Sequence, residues 1–116
     1  MAPTTLVGQK TSTSPYGRDQ RKDGAPLRMA ELLAQLDGVA FSARVAVNSP
    51  RNVLDAKKQI RKAVRYQAEG RGFSFIEALS ACPTNWGMPP LKANERVGTE
   101  MCDYFRLGIY KNVENL

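Results

Sequence analysis

Residues 39–79 read VAFSARVAVNSPRNVLDAKKQIRKAVRYQAEGRGFSFIEAL, and this stretch decides the fold. Val39 to Val47 alternates in the manner of a strand, with Val39, Phe41, Ala43, Val45 and Val47 on one side and Ala40, Ser42, Arg44 and Ala46 on the other. Asn48-Ser49-Pro50 then supplies a helix start, Ser49 as N-cap and Pro50 at the first helical position. Val53, Ala56, Ile60, Ala63, Val64 and Gln67 recur at three- and four-residue spacing, an apolar stripe laid opposite Lys57, Lys58, Arg61, Lys62 and Arg65. Gly70 and Gly72 end the run, and Phe73 to Leu79, rich in aromatic and apolar residues, reads as a second strand. A strand-helix-strand unit of this kind predicts two parallel strands with a right-handed crossover, and hence an α/β fold built on a mostly parallel sheet flanked by helices.

Upstream of this unit, residues 27–38 predict a short helix. Pro26 fits its first turn, Leu27, Ala30, Leu33 and Ala34 with Leu36 form an apolar face, and Asp37-Gly38 is the stop. Residues 1–26 hold repeated Thr and Ser, Pro3, Pro15 and Pro26, and Gly8, Gly17 and Gly24, with no helical or alternating period. An irregular run that long is a functional loop or a disordered tail. Downstream, Met88-Pro89-Pro90 leads into a helical pattern from about Leu91 to Phe105, in which Gly98 is a weak point. Leu107 to Tyr110 reads as a short strand or an extended tail.

Composition removes several classes of function. The 116 residues contain no histidine, which takes away the commonest general base and the usual zinc ligand, so hydrolase and zinc-enzyme readings are poor. No run approaches the ~18 apolar residues of a membrane span and the start is polar, so a cytoplasmic chain is expected, with Cys82 and Cys102 as reduced thiols. The net charge of +6 suits an anionic partner. It leaves open a small basic nucleic-acid-binding protein using the Lys57–Arg65 helix, although aromatic interleaving is missing. A thiol redox protein is disfavoured because no second cysteine stands in Cys-x-x-Cys spacing.

Cys82 falls just past the second strand, in Leu79-Ser80-Ala81-Cys82-Pro83-Thr84-Asn85-Trp86-Gly87. That is the carboxyl edge of the sheet, where open α/β folds bind ligands, although a buried thiol acting as a small hydrophobe is the plainer reading. Together with Met1-Ala2-Pro3-Thr4-Thr5-Leu6-Val7-Gly8-Gln9-Lys10-Thr11 and Ser14-Pro15-Tyr16-Gly17-Arg18-Asp19, this segment resembles the β subunits of thiamine-diphosphate-dependent 2-oxoacid:ferredoxin oxidoreductases, in the 2-oxoglutarate and 2-ketoisovalerate branch. The resemblance is to the carboxyl-terminal part of such a subunit. The family's Gly-Asp-Gly to Asn motif for Mg²⁺ and diphosphate lies upstream of the position matching Met1.

The resemblance implies the C-terminal part of a thiamine-diphosphate-binding fold, with residues 1–26 as a loop following the cofactor-binding segment and 27–116 as the rest. It implies a share in oxidative decarboxylation of a 2-oxoacid to acyl-CoA and CO₂, electrons passing to ferredoxin, in a complex with an α subunit and other subunits. By the same resemblance Cys82 matches the fourth ligand of a [4Fe-4S] cluster. Thr4, Thr5, Lys10 and Thr11 follow the diphosphate and Mg²⁺ segment, where hydroxyls and peptide N–H groups can meet anionic oxygens. Lys10 and Arg18 could neutralise a carboxylate or phosphate, or be solvated charges. Trp86 could cover the cluster or serve as a core or interface residue. Cys102 has no match in the family and reads as structural. Thiamine diphosphate, Mg²⁺ and the cluster are not expected to bind this chain alone, which should be inactive by itself; no nucleic acid or membrane partner is expected.

Overall fold

The computed structural model describes residues 1–115. The strand-helix-strand unit is present as read: β1 (Val39–Ala46), α3 (Pro50–Ala68) and β2 (Phe73–Leu79), with β1 and β2 parallel. Before it come α1 (Gln20–Asp23) and α2 (Met29–Ala34); after it come α4 (Pro83–Trp86), α5 (Pro90–Arg96), α6 (Cys102–Tyr104) and β3 (Gly108–Asn112). The segment read from Leu107 to Tyr110 is strand from Gly108 onward, and β3 pairs antiparallel with β1, giving the order β2-β1-β3. The fold is α/β, and the three-stranded sheet is mixed, one pair parallel and one antiparallel.

All eight residues of β1 are buried, because helices lie on both faces of the central strand. On one face Phe41 and Ala43 meet Ala63 and Tyr66 of α3, with the Phe41 and Tyr66 rings edge to face at 5.7 Å. On the other, Ala46 and Leu79 pack with Val97, Met101 and Phe105. Arg44 shares that second face, fully enclosed. Its guanidinium bonds both carboxylate oxygens of Glu31 (2.8 and 2.5 Å), Glu77 (3.2 Å) and the Tyr110 hydroxyl (3.1 Å). Burial alone would raise the Glu31 carboxyl, but the hydrogen bonds and charge of Arg44 outweigh it and hold the group below its usual range.

Two sequence expectations need correction. The stripe read as the core face of α3 is buried only in part, through Ala56 and Ala63. Ala56, Gln59, Ala63 and Tyr66 face the sheet, while Val53, Ile60 and Val64 remain exposed. The helix is turned toward β3 by Tyr66, whose hydroxyl donates to Asn112 Oδ1 (2.7 Å), and by an Arg65–Glu114 ion pair at 3.6 Å. Small Ala56 and Ala63 allow close approach to the sheet, which β-branched residues there would prevent. Likewise α2 is shorter than read and buries only Ala30; Leu27, Leu32 and Leu36 are exposed.

The ends of α3 follow the reading closely. Ser49 Oγ accepts from the Asn52 N–H at 3.2 Å, with Pro50 in the first turn. The helical pattern after Pro89 is continuous from Pro90 to Tyr104 but carries a π turn at Val97–Met101. Gly98 lies in that turn, where an added Cβ would come within 3.0 Å of Asn48 Nδ2. The glycine that weakens helix propensity thus allows the widened turn to lie against the loop after β1.

Candidate functional site

Residues 1–26 fold into a series of turns carrying two isolated bridges, Val7 with Arg18 and Thr11 with Ser14, followed by α1. Arg18 holds this loop together. Its Nε donates to the carbonyl of Gly24 (2.8 Å), Nη1 to those of Ala2 (3.1 Å), Pro3 (3.4 Å) and Thr5 (3.0 Å), and Nη2 to Asp23 (3.4 Å) and Ala25 (3.1 Å). A guanidinium presents five donors in a planar fork, so one side chain replaces the hydrogen bonds a strand partner would otherwise supply. Arg18 is accordingly buried, neither solvated nor free to neutralise a ligand. Gly17 beside it has φ +84°, and a Cβ would meet the Gly8 carbonyl at 2.9 Å, so a side chain cannot be placed there.

The ordered loop lies against the segment that follows β2. The Ser12 N–H donates to the Asn85 carbonyl at 2.9 Å, and the Ser12 hydroxyl bonds the Asn85 side-chain oxygen. Between loop and segment opens a cleft of about 280 Å³, lined by Thr4, Thr5 and Gln9 from the loop, Glu77 and Ser80 from the end of β2, and Cys82, Asn85 and Trp86 beyond it. Four of the residues singled out in the sequence, Thr4, Thr5, Cys82 and Trp86, therefore share one cleft although 77 positions separate Thr5 from Cys82. Lys10 and Thr11 line a neighbouring opening with Asn85 and Trp86. The Thr11 hydroxyl bonds Ser14 Oγ at 2.6 Å, closing its own turn.

Cys82 is a free, exposed thiol at the start of α4, which removes the buried-hydrophobe reading for it. Cys102 is also free but partly enclosed beside Met101 and Phe105. Burial, then the nearby Asp103 charge, push its thiol above the ordinary range, so it is a poor nucleophile. Trp86 is half-buried against the same cluster and forms the wall between the two openings. Among the described residues no three His, Cys, Asp or Glu side chains gather as a metal site. Gln9, Ser80 and Asn85 were not distinguished in the sequence; only the meeting of two distant loops marks them. No helix among the described residues is long and apolar enough to cross a membrane.

The chain is 47% identical over 85 residues to the ketoisovalerate oxidoreductase subunit VorA of Methanothermobacter marburgensis, a match covering 73% of this chain and 18% of that relative. It is 37% identical over 90 residues to the 2-oxoglutarate synthase subunit KorB of Archaeoglobus fulgidus, covering 78% and 29%. The pyruvate synthase subunit PorB of Pyrococcus furiosus is 29% identical over 92 residues, covering 79% and 26%. No protein-family model matches, and no solved structure does. The chain belongs to the family of 2-oxoacid oxidoreductase subunits. It spans less than a third of the length of these relatives.

Proposed function

We propose that this chain contributes one wall of the active centre of a 2-oxoacid oxidoreductase, as β-subunit sequence, in the oxidative decarboxylation of a 2-oxoglutarate-like or branched-chain 2-oxoacid to acyl-CoA and CO₂. The observation that carries the reading is the cleft in which Thr4, Thr5 and an exposed Cys82 meet at the carboxyl edge of a parallel strand pair. The residues fit the implied groups in part. Cys82 suits a single thiolate ligand of a [4Fe-4S] cluster whose other ligands lie outside the described residues, and such a cluster would supply one-electron transfer toward ferredoxin. The hydroxyls of Thr4 and Thr5 suit the anionic side of thiamine diphosphate with Mg²⁺, with Lys10 and Thr11 at the neighbouring opening.

In this reading the chain's own residues hold and shield, and the cofactor performs the bond chemistry. Arg18 fixes the backbone that carries Thr4 and Thr5, Asn85 anchors that loop to the Cys82 segment through Ser12, and Trp86 limits water at the thiol. The other half of the centre comes from an α subunit, residues 1–26 act as the loop after the cofactor-binding segment, and 27–116 complete the domain. The setting is cytoplasmic and the chain alone is inactive. The test replaces the matched stretch of the Methanothermobacter marburgensis ketoisovalerate subunit with this chain and reconstitutes it anaerobically with iron and sulfide. Cys82→Ser should abolish one cluster's electron paramagnetic resonance signal while Cys102→Ser retains it. Equal signals from both variants would remove Cys82 from the ligand set.

A further inference from the structure

Beside the Cys82 cleft lies a second cavity, of about 360 Å³, where the loop around Gly8 meets the helix after Pro89. Leu6, Gln9 and Lys10 line it from the loop, Trp86 and Met88 from the segment after β2, and Arg96 from the end of α5. A cavity of that size falls in the range of small-molecule sites, roughly 300–1,000 Å³, and is more than a single inorganic ion fills. Its walls are partly apolar. Leu6 and Trp86 pack against the cluster of Val97, Met101 and Phe105 but stay half-buried, so each leaves apolar surface to the cavity.

The polar groups of this cavity are mostly donors, and they are underused. Arg96 is only 14% exposed and lies 5.8 Å from the Trp86 ring, yet it is committed on one side alone. Its Nη1 donates to Glu100 Oε2, Nε is enclosed without a partner, and Nη2 donates to no described residue. Buried donors without partners are rare in native proteins. Gln9 accepts from the Leu6 N–H through Oε1 (2.8 Å), which leaves its amide nitrogen free to donate. Lys10 adds an exposed ammonium at the rim.

We infer that this cavity is a binding site for a small monocarboxylate with a short apolar body. The carboxylate meets Arg96 at the open Nη2, and a small turn of the guanidinium about its Glu100 contact brings Nε to the same anion, in the two-bond geometry that arginine favours. Gln9 and Lys10 take the outer lone pairs, so the free donors are used by the two carboxylate oxygens and none is reserved for a further polar group on the ligand. The body lies along Leu6, Trp86 and Met88, the last an adaptable side chain. Glu100, already on the same guanidinium, repels a second negative charge and so selects against phosphate and diphosphate. Gln9 and Trp86 also line the Cys82 cleft, so a ligand here is felt there, which suits an effector. Nothing in this site depends on the cofactor assigned to the Cys82 cleft, and failure of either leaves the other standing.

Trp86 is the chain's single tryptophan and lines the cavity, so its emission reports occupancy directly. Titration with sodium 4-methylpentanoate, in about 0.15 M salt to screen the net charge, should change that emission along a saturating curve. The uncharged 4-methylpentanamide and inorganic phosphate should give no saturating change, and 4-methyl-2-oxopentanoate should bind no tighter than the saturated acid. Arg96→Gln should raise the half-saturating concentration at least about tenfold. Lys10→Gln, at an exposed side chain where folding is not at stake, should raise it about threefold. Cys82→Ser should bind as the parent does. A linear or absent response to the carboxylate overturns the proposal, as does an equal response to phosphate, which would reduce the effect to net charge. Full binding by both Arg96→Gln and Lys10→Gln, loss of binding in Cys82→Ser, or a clear preference for the 2-oxo acid would each overturn it as well, the last two by moving the ligand to the Cys82 cleft or to the substrate's place.

Discussion

Arg18 and Arg44 are both buried cations, and they act differently. Arg18 is spent on main-chain carbonyls, so its removal should release the loop while leaving the sheet intact. Hydrogen bonds to a charged group contribute about 1.5–3 kcal/mol each at most, and they are not additive. Arg18→Met should therefore make residues 2–25 sensitive to limited proteolysis with little change in the midpoint of the sheet, and Arg18→Lys should not restore protection, because an ammonium cannot span six carbonyls. Arg44 is paired with carboxylates, which makes it pH-dependent. The Glu31 pKa lies below its ordinary 4.5 in the folded chain, so the stability it contributes is present above that value and is lost as pH falls through the lowered one. Thermal midpoints followed from pH 6 to pH 3 should fall more steeply for the parent than for Glu31→Gln, and the two curves should converge at the acid end; parallel curves would deny the linkage. Neither arginine's role was legible in the sequence. Periodicity shows that position 44 lies on a strand face, but a charged side chain reads as solvent-facing until α2 and the helix after Pro89 are seen to cover that face.

Among the elements, those whose signals are local were legible. The caps of α3, the alternation of β1 and the apolar run of β2 each depend on neighbours in the chain, and all three formed where expected. What was not legible is the rotation of α3, because a helix with apolar residues around more than one flank can bury either. The choice is made by contacts with β3 and the C-terminal turn, which are distant in sequence. The consequence is a reversal of the usual expectation for two adjacent residues. Ala63→Leu should destabilise the isolated chain by about 1–3 kcal/mol through overpacking against Phe41, although alanine to leucine raises apolar content. Val64→Ala, on the exposed flank, should change it by no more than about 0.5 kcal/mol. Urea titration of both variants measures this, and equal costs would mean that Val64 is packed against the sheet as closely as Ala63. The cleft was legible in part for the same reason. Thr4, Thr5 and Cys82 stood out through motif resemblance, whereas Gln9, Ser80 and Asn85 join them only through the fold of the loop.

The whole molecule is a slab of 45 × 34 × 20 Å with a radius of gyration of 15.4 Å, where a compact domain of this length has about 13 Å. A slab with an open edge and a one-sided cleft gives a definite expectation for cofactor binding. Mg²⁺ takes six oxygen ligands in near-ideal octahedral geometry, usually through carboxylates and substrate phosphates. The cleft offers one carboxylate, Glu77, and that group is already committed to Arg44 at 3.2 Å. What this chain can offer an anion is chiefly its net charge of +6, which attracts phosphates without regard to the rest of the molecule and weakens as added salt shortens the Debye length below about 10 Å. Calorimetric titration with thiamine diphosphate should therefore give, for the isolated chain, only a weak signal at low salt. That signal should be matched by inorganic pyrophosphate, be unaffected by adding Mg²⁺, and be gone at 0.5 M salt. The chimaera with the ketoisovalerate relative should instead bind thiamine diphosphate in a Mg²⁺-dependent and salt-tolerant way. Tight Mg²⁺-dependent binding to the isolated chain would mean that the Thr4, Thr5 and Cys82 cleft is a complete cofactor site, and the division of the centre between this chain and other polypeptide would have to be abandoned.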